Sequence, residues 1–310
     1  MRTTFISVIL LTSLMWICLS CKEDDNSSAK NDLIACIQKA ETSVAEAVEG
    51  NDEGCIAPGS KDVLQTRIDW ARFILDNSWT DEAYTNAQTI LNTAVDAFFA
   101  NKVKAGIPLF GVGSKMNLGT VGTWNFEESF TVECRLRYNE FAGGDQNVIS
   151  CESGNSGWML RGSGNVIQFY INDGGWAGCQ TPALELNRWY HVAASYKKGS
   201  GLALYLDGVK VGSTACGTIQ LSPSSDLQAG TAPSYSDRYM RGNIQHLSLW
   251  TDVRSEQEVA SDVSCSFEGT EEGLNAYWPL KLNLGTAITD ETGTHVANLV
   301  DVVWMEPSDN

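Results

Sequence analysis

A chain of 310 residues with 38 acidic against 21 basic side chains carries a net charge of −17, which disfavours nucleic acid and anionic lipid as partners. Both are held by clustered lysine and arginine. With 43% hydrophobic and 19% charged residues the chain can bury a core, and its length allows a leader and about two domains.

The N-terminus reads as an export signal. Arg2 precedes an apolar run from Phe5 to Leu19, long enough for a secretory segment and shorter than the about 20 residues of a comfortable membrane span. The run ends at Leu19-Ser20-Cys21 and turns at once into Lys22-Glu23-Asp24-Asp25-Asn26. This junction resembles a bacterial lipoprotein signal, which implies that residues 1–20 are removed and Cys21 is lipidated. Cys18 departs from that pattern, which favours Leu three positions before the modified cysteine, and plain cleavage near Ser20 is the alternative. Residues 21–30 form an acidic tether. Lysine followed by acidic residues after the cysteine resembles the export tag of surface lipoproteins in Bacteroides-type bacteria, implying an outer-membrane, surface-exposed location.

Nine cysteines, less Cys18 and Cys21, leave Cys36, Cys55, Cys134, Cys151, Cys179, Cys216 and Cys265, an odd set in which at least one thiol is free or pairs between molecules. No Cys-x-x-Cys and no Cys/His cluster suggests zinc.

Residues 31–104 are expected to form a three-helix bundle. Leu33, Ile37, Ala40, Val44 and Ala47 keep helical spacing over Asn31–Val48. A second helix begins near Lys61 with Ser60 as N-cap, carrying Leu64, Ile68, Ala71 and Leu75. Thr80 caps a third, Asp81 to about Asn101, with Asp81 and Glu82 favouring its dipole. Cys36 and Cys55 are candidates for a disulfide pinning the first loop, or are two free thiols. Trp70 and Phe99 are expected to pack. The bundle reads as a spacer and loosely resembles helical modules that precede glycan-binding domains.

From residue 106 to 310 glycine becomes frequent and helical periodicity ends. Phe130, Val132, Cys134 and Leu136 alternate with polar residues as a half-buried strand. Short strands follow at Asn147–Cys151, Trp158–Arg161 and Val166–Ile171. A meander comes next, Trp189–Tyr196, Leu202–Leu206 and Val209–Gly212, turned by Asp207-Gly208. Asp226–Gly230 and Gly242–Trp250 complete the pattern, and Ser255-Glu256-Gln257-Glu258 is a capping box opening a short helix. Such spacing predicts an antiparallel β-sandwich.

The blocks Phe130-Thr131-Val132-Glu133, Trp189-Tyr190-His191-Val192-Ala193, Leu204-Tyr205-Leu206-Asp207-Gly208 and Gly242…Ile244…Leu249-Trp250 resemble the laminin-G-like, concanavalin A-like jelly-roll family. Tyr277-Trp278-Pro279-Leu280 and Asp290–His295 look like a further block. Gln245-His246 departs from the acidic pair of many members. The resemblance covers most of residues 110–305 and implies a jelly roll of lectin or glucanase type.

The glucanases of that fold carry Glu-x-Asp-x-x-Glu or Glu-x-Asp-x-Glu on one strand, and no such run is present here. Glu133 has no acidic neighbour two residues away, and His191, His246 and His295 are far apart. A binding protein is therefore expected rather than an enzyme, with a glycoside hydrolase of unrecognised residues as the lesser alternative. Sugar recognition asks for an aromatic platform with a few fixed polar groups. Trp176 with Asp173, in a polar turn, and Tyr235, Asp237, Arg238 and Tyr239, in one loop, are the candidates. Trp158, Trp189, Trp250 and Trp278 are expected in the core. Calcium, common in the family, has Asp145-Gln146-Asn147, Asp173 and Asp237 as possible ligands. The partner is carbohydrate or, alternatively, another envelope protein.

Overall fold

The computed structural model describes residues 27–307, so the expected signal peptide, Cys21 and the tether up to residue 26 lie outside the described residues. The chain divides into two compact units. One comprises the described residues up to Ala47 with Lys61–Phe98; the other comprises Val48–Ser60 and the chain from Phe99 onward.

The first unit is helical. Helix α1 (Ser28–Glu46) starts ahead of the expected Asn31 because the Ser27 side chain accepts the Lys30 N–H at 3.1 Å. In α2 (Ser60–Asn77), Ser60 is the first helical residue rather than the cap, and its hydroxyl accepts from Asn101 Nδ2 at 3.2 Å. Helix α3 (Asp81–Ala100) opens on Thr80, whose Oγ1 accepts the Ala83 N–H at 3.3 Å. Leu33, Ile37, Leu64, Ile68, Leu91 and Val95 are buried stripes, each worth about 2 kcal/mol of apolar burial. Phe99, expected to pack, is half exposed. The disulfide considered between Cys36 and Cys55 is not formed. Cys36 sits in the α1 stripe and donates to Asn92 Oδ1 at 3.2 Å, whereas Cys55 belongs to the second unit, where its carbonyl accepts the Val103 N–H at 2.8 Å.

The second unit holds, in chain order, β1 (Lys104–Ala105), β2 (Ile107–Phe110), β3 (Lys115–Thr120), β4 (Ser129–Tyr138), β5 (Asp145–Ser150) and β6 (Trp158–Ser163). It continues with β7 (Val166–Asn172), β8 (Trp176–Gln180), β9 (Tyr190–Lys197), β10 (Gly201–Leu206), β11 (Val209–Thr214) and β12 (Asp226–Ala229). After β13 (Gly242–Trp250) and helix α4 (Glu256–Asp262) come β14 (Leu274–Trp278), β15 (Leu282–Asn283), β16 (Ala287–Thr289), β17 (Val296–Val300) and β18 (Val303–Met305).

These strands form two eight-stranded sheets and a two-stranded β1–β15 ribbon. One sheet, here the β4 sheet, runs β11-β10-β9-β4-β13-β2-β18, with β14 also on β13; the other, the β5 sheet, runs β16-β17-β3-β12-β5-β6-β7-β8. The adjacent strands pair antiparallel, as a jelly-roll sandwich requires. β4 alternates as read: Phe130, Val132, Cys134 and Leu136 enter the core, and Thr131, Glu133, Arg135 and Arg137 take the outer face. Phe126, Phe130 and Trp158 pack edge-on or tilted, at 5.0–5.3 Å between ring centres. Positive φ at Asp207 (49°) and Gly208 (79°) makes the expected hairpin turn between β10 and β11.

Trp189 is the exception among the tryptophans expected to be core. It sits just ahead of β9 on the outer side of the β4 sheet, half-buried, while Trp158, Trp250 and Trp278 are fully buried. Trp250 is itself covered from outside, by Phe267 at 5.0 Å and Arg254 at 3.9 Å.

Candidate functional site

The loop from Gly230 to Arg241 runs on from β12 along the edge of β5, with Asn147 and Tyr239 bridged in parallel. Gly230 donates to Val148 O at 2.8 Å, Asn147 N–H to Arg238 O at 3.0 Å, and Arg241 N–H to Gln146 Oε1 at 3.0 Å. Gly230 must be glycine: φ is +83°, and a Cβ would stand 2.3 Å from the Phe110 ring. A register shift between Asn147 and Ile149 keeps the Asn147 amide under this loop, fully buried.

Below the loop, charge is neutralised in place. Glu152, 2% exposed, accepts Arg238 Nη1 on both oxygens at 2.9 Å and Asn147 Nδ2 at 2.8 Å. Arg238 stacks its guanidinium 3.6 Å from the Tyr235 ring centre. Asp145 accepts Arg161 Nη1 at 2.5 Å, and Arg161 Nε donates to Gln168 Oε1 at 3.2 Å. Charge-assisted bonds of this kind set the loop and one tyrosine in a single geometry.

Above this frame lies a groove of about 420 Å³ whose lining includes Tyr235, Tyr239, Lys115, Gln228, Thr231 and Pro233. It offers two phenol rings and the exposed hydroxyls of Ser234 and Ser236, with the Gln228 amide in its wall. Thr231 Oγ1 and Asn147 Oδ1 are buried without a hydrogen-bond partner among the described residues, an unusual state for such atoms. The arrangement suits a hydroxylated ring: aromatic faces for its C–H side, neutral polar groups for its hydroxyls.

Of the residues singled out from sequence, Tyr235, Arg238 and Tyr239 come together here, with Arg238 as frame rather than contact. Asp237 is exposed on the same loop. Asp173 and Trp176 lie elsewhere. Trp176 begins the edge strand β8, three strand spacings from β5, about 14 Å. Asp173 accepts the Gly217 N–H at 2.6 Å, tying its turn to the segment after β11. Among the described residues no three His, Cys, Asp or Glu side chains gather in a metal-holding arrangement. Glu152, Arg161, Gln228 and Lys115 went unnoticed in the sequence because no spacing links residues on four different strands and loops.

A second buried charge cluster lies under α4. Glu133 Oε2 is 3.1 Å from His191 Nε2, and Arg254 reaches Glu133 at 3.9 Å and Asp262 at 2.8 Å. Burial pushes the Glu133 carboxyl above its ordinary range, while His191 opposes the shift. The Ser255–Glu258 capping box is formed, and Val259 packs on Ala193 and Tyr205. With Glu133 1% and His191 5% exposed, this cluster fastens α4 and opens on no groove. His246, at φ +52° on the β13 bulge, meets the Tyr277 hydroxyl at 2.7 Å; burial first, then Lys281 and Arg135, lower it to about 4.

Residues 110–260 match the Laminin_G_3 family of the concanavalin A-like lectin/glucanases superfamily. The laminin G-like match runs from the end of β2 into α4 and leaves β14–β18 outside it. No curated protein sequence matches the chain. Among solved structures, a Bacteroides ovatus protein whose carbohydrate binding is inferred aligns with TM-score 0.55 at 20% identity, over 65% of this chain and 60% of its own. This chain thus spans less than two thirds of that protein. A CBM40 of the Ruminococcus gnavus IT-sialidase bound to α2,3-sialyllactose aligns at TM-score 0.43 and 14% identity, over 52% and 98% of the two chains. A SAP-like pentraxin from Limulus polyphemus aligns at 0.41 and 18%, over 53% and 82%. At these identities the likeness is one of fold.

Proposed function

We propose that this is a carbohydrate-binding protein, exported and lipid-anchored through Cys21 at the outer-membrane surface, that captures a polysaccharide in the groove beneath the Gly230–Arg241 loop. The observation that carries this reading is the pair Tyr235 and Tyr239 on a groove whose framing loop is held by buried ion pairs. Fixing the platform in advance lowers the ordering cost of binding a flexible sugar. The inferred carbohydrate binding of the Bacteroides ovatus protein agrees with this reading without establishing it.

Binding without hydrolysis is the favoured mode. Hydrolysis with retention needs two carboxylates about 5 Å apart, one of them protonated. Among the acids near the groove, Asp145 and Glu152 are bound by guanidinium groups, and Asp226 accepts the Gln228 amide at 3.0 Å.

Affinity-gel electrophoresis over a panel of neutral and acidic polysaccharides tests the proposal. At least one should retard the protein, Tyr239→Ala should weaken that binding about tenfold, and Trp176→Ala should leave it unchanged. Retardation by none, or undiminished binding by both Tyr235→Ala and Tyr239→Ala, overturns the groove as the site. Release of reducing sugar from the retarding polysaccharide would overturn the non-enzymatic reading.

A further inference from the structure

We propose that the outer face of the β4 sheet carries a second, separate site, centred on Trp189 and Arg135, for a sulfate or carboxylate borne on a sugar ring. Three observations converge on it. The first is geometric. Arg135 and Arg137, alternate residues of β4, place their guanidinium carbons 5.6 and 5.2 Å from the Trp189 ring centre. Arg238 covers Tyr235 at 3.6 Å; these two lie over the indole at a greater distance, and Trp189 stays partly exposed.

The second is preorganisation. Arg137 is 6% exposed, and its Nε and Nη2 both donate to Asn243 Oδ1, at 3.1 and 2.9 Å. Asn243 is held in turn by Pro108 O at 3.0 Å. One guanidinium is thereby locked at the indole, while Arg135 stays partly exposed and able to meet an anion.

The third is charge. In a chain of net charge −17, Arg161, Arg188, Arg238, Arg241 and Arg254 all end on carboxylates. Arg135 pairs with no carboxylate among the described residues, and neither does Lys281, whose amine donates to Ser266 Oγ at 3.2 Å. Both act on His246, which they help to keep uncharged. The neighbouring anion, Glu133, is already met by His191 and Arg254. The positive field here is therefore not quenched from within the described unit, and a guanidinium fork matches a carboxylate or sulfate. The half-exposed indole adds the apolar contact that favours a sugar-borne anion over a free ion.

The test is retention of the full chain on immobilised dextran sulfate, polygalacturonate and unmodified dextran at low salt. We expect retention on at least one polyanion despite the protein's like net charge, release by salt, and passage through dextran. Binding to only one polyanion identifies the sulfate or the carboxylate as the preferred group. Arg135→Gln and Trp189→Ala should each weaken retention about tenfold, and Lys281→Gln should weaken it less. Lys197→Gln, an equal charge change on the same sheet, should leave it unchanged. Tyr239→Ala should also leave it unchanged, so that failure here and failure of the groove are told apart. No retention on either polyanion, or equal weakening by Arg135→Gln and Lys197→Gln in proteins of unchanged melting temperature, overturns the proposal.

Discussion

On the outer face of the β5 sheet, Arg161, Arg238 and Arg241 meet Asp145, Glu152 and Glu140, and the result is a fixed loop above a groove of neutral groups and one lysine. On the outer face of the β4 sheet, Arg254 is used in the same way to seat α4, yet Arg135 beside Trp189 has no such acid among the described residues. One face converts charge into geometry, and what is left to recognise a ligand there is chiefly shape, phenol rings and hydrogen bonds. The other keeps charge available. The difference shows that counting ionic residues on a surface says little until their partners are known, since a paired arginine is structure and an unpaired one is potential.

Removing Glu152 should expose this contrast most sharply. Glu152→Ala removes the two-oxygen acceptor of Arg238 and one of the two acceptors of the Asn147 amide, leaving Arg238 only Asp145 at 3.9 Å, and should cost about 3 kcal/mol in urea unfolding. Arg135→Gln, at a half-exposed position without an ion pair, should change stability by no more than about 0.5 kcal/mol. Equal costs would break the distinction between the two faces.

The next effect is acid sensitivity. His246 has a folded-state value of about 4 against an ordinary 6.5, so between those values the unfolded chain binds a proton that the folded chain does not. Stability should therefore fall as pH drops from about 6.5 to 4, by about 2 kcal/mol once partial solvation is allowed for. His246→Asn, which tolerates the positive φ, should flatten that slope. Arg135→Gln should move the His246 titration upward in NMR, because one opposing charge is gone. An unmoved titration would mean that the field around Trp189 is weaker than its geometry suggests.

The smallest effect concerns α4. Ser255→Ala removes the cap hydroxyl bonded to Glu258 N–H at 3.3 Å and should cost about 1 kcal/mol. Hydrogen exchange should rise over Glu256–Asp262 and leave the groove loop unchanged.

Much of the sandwich was legible where the signal is local. Gly242–Trp250 was read with the bounds it has, Asp207-Gly208 makes its turn, and Ser255 with Glu258 closes its capping box. β2, β17 and β18 were missed: they are three to five residues long, and β2 pairs with β18, and β17 with β3, across most of the length of the sandwich sequence. Tyr235 and Tyr239 stood out as loop aromatics, but Glu152 gave no sign, because its meaning comes from a bulge in β5 that brings Asn147 beneath it. Trp189 misled for a related reason. A strand period assigns alternate faces but does not say which face a neighbouring helix covers, and α4 covers the Glu133 end while the Trp189 end stays open.

The pairing of β18 with β2 and of β17 with β3 bears on the order of events during synthesis. Ile107 faces Met305, so the first strands of the sandwich leave the ribosome long before their neighbours exist. Until then β2 and β3 present unpaired edges, and loop closure over so long an interval makes their final docking a late and slow step. A fragment cut to residues 110–260 would keep β13 but lose β14, β17, β18 and the buried Trp278, remaining in that unfinished state. Studies of either outer face therefore call for the sandwich through Met305.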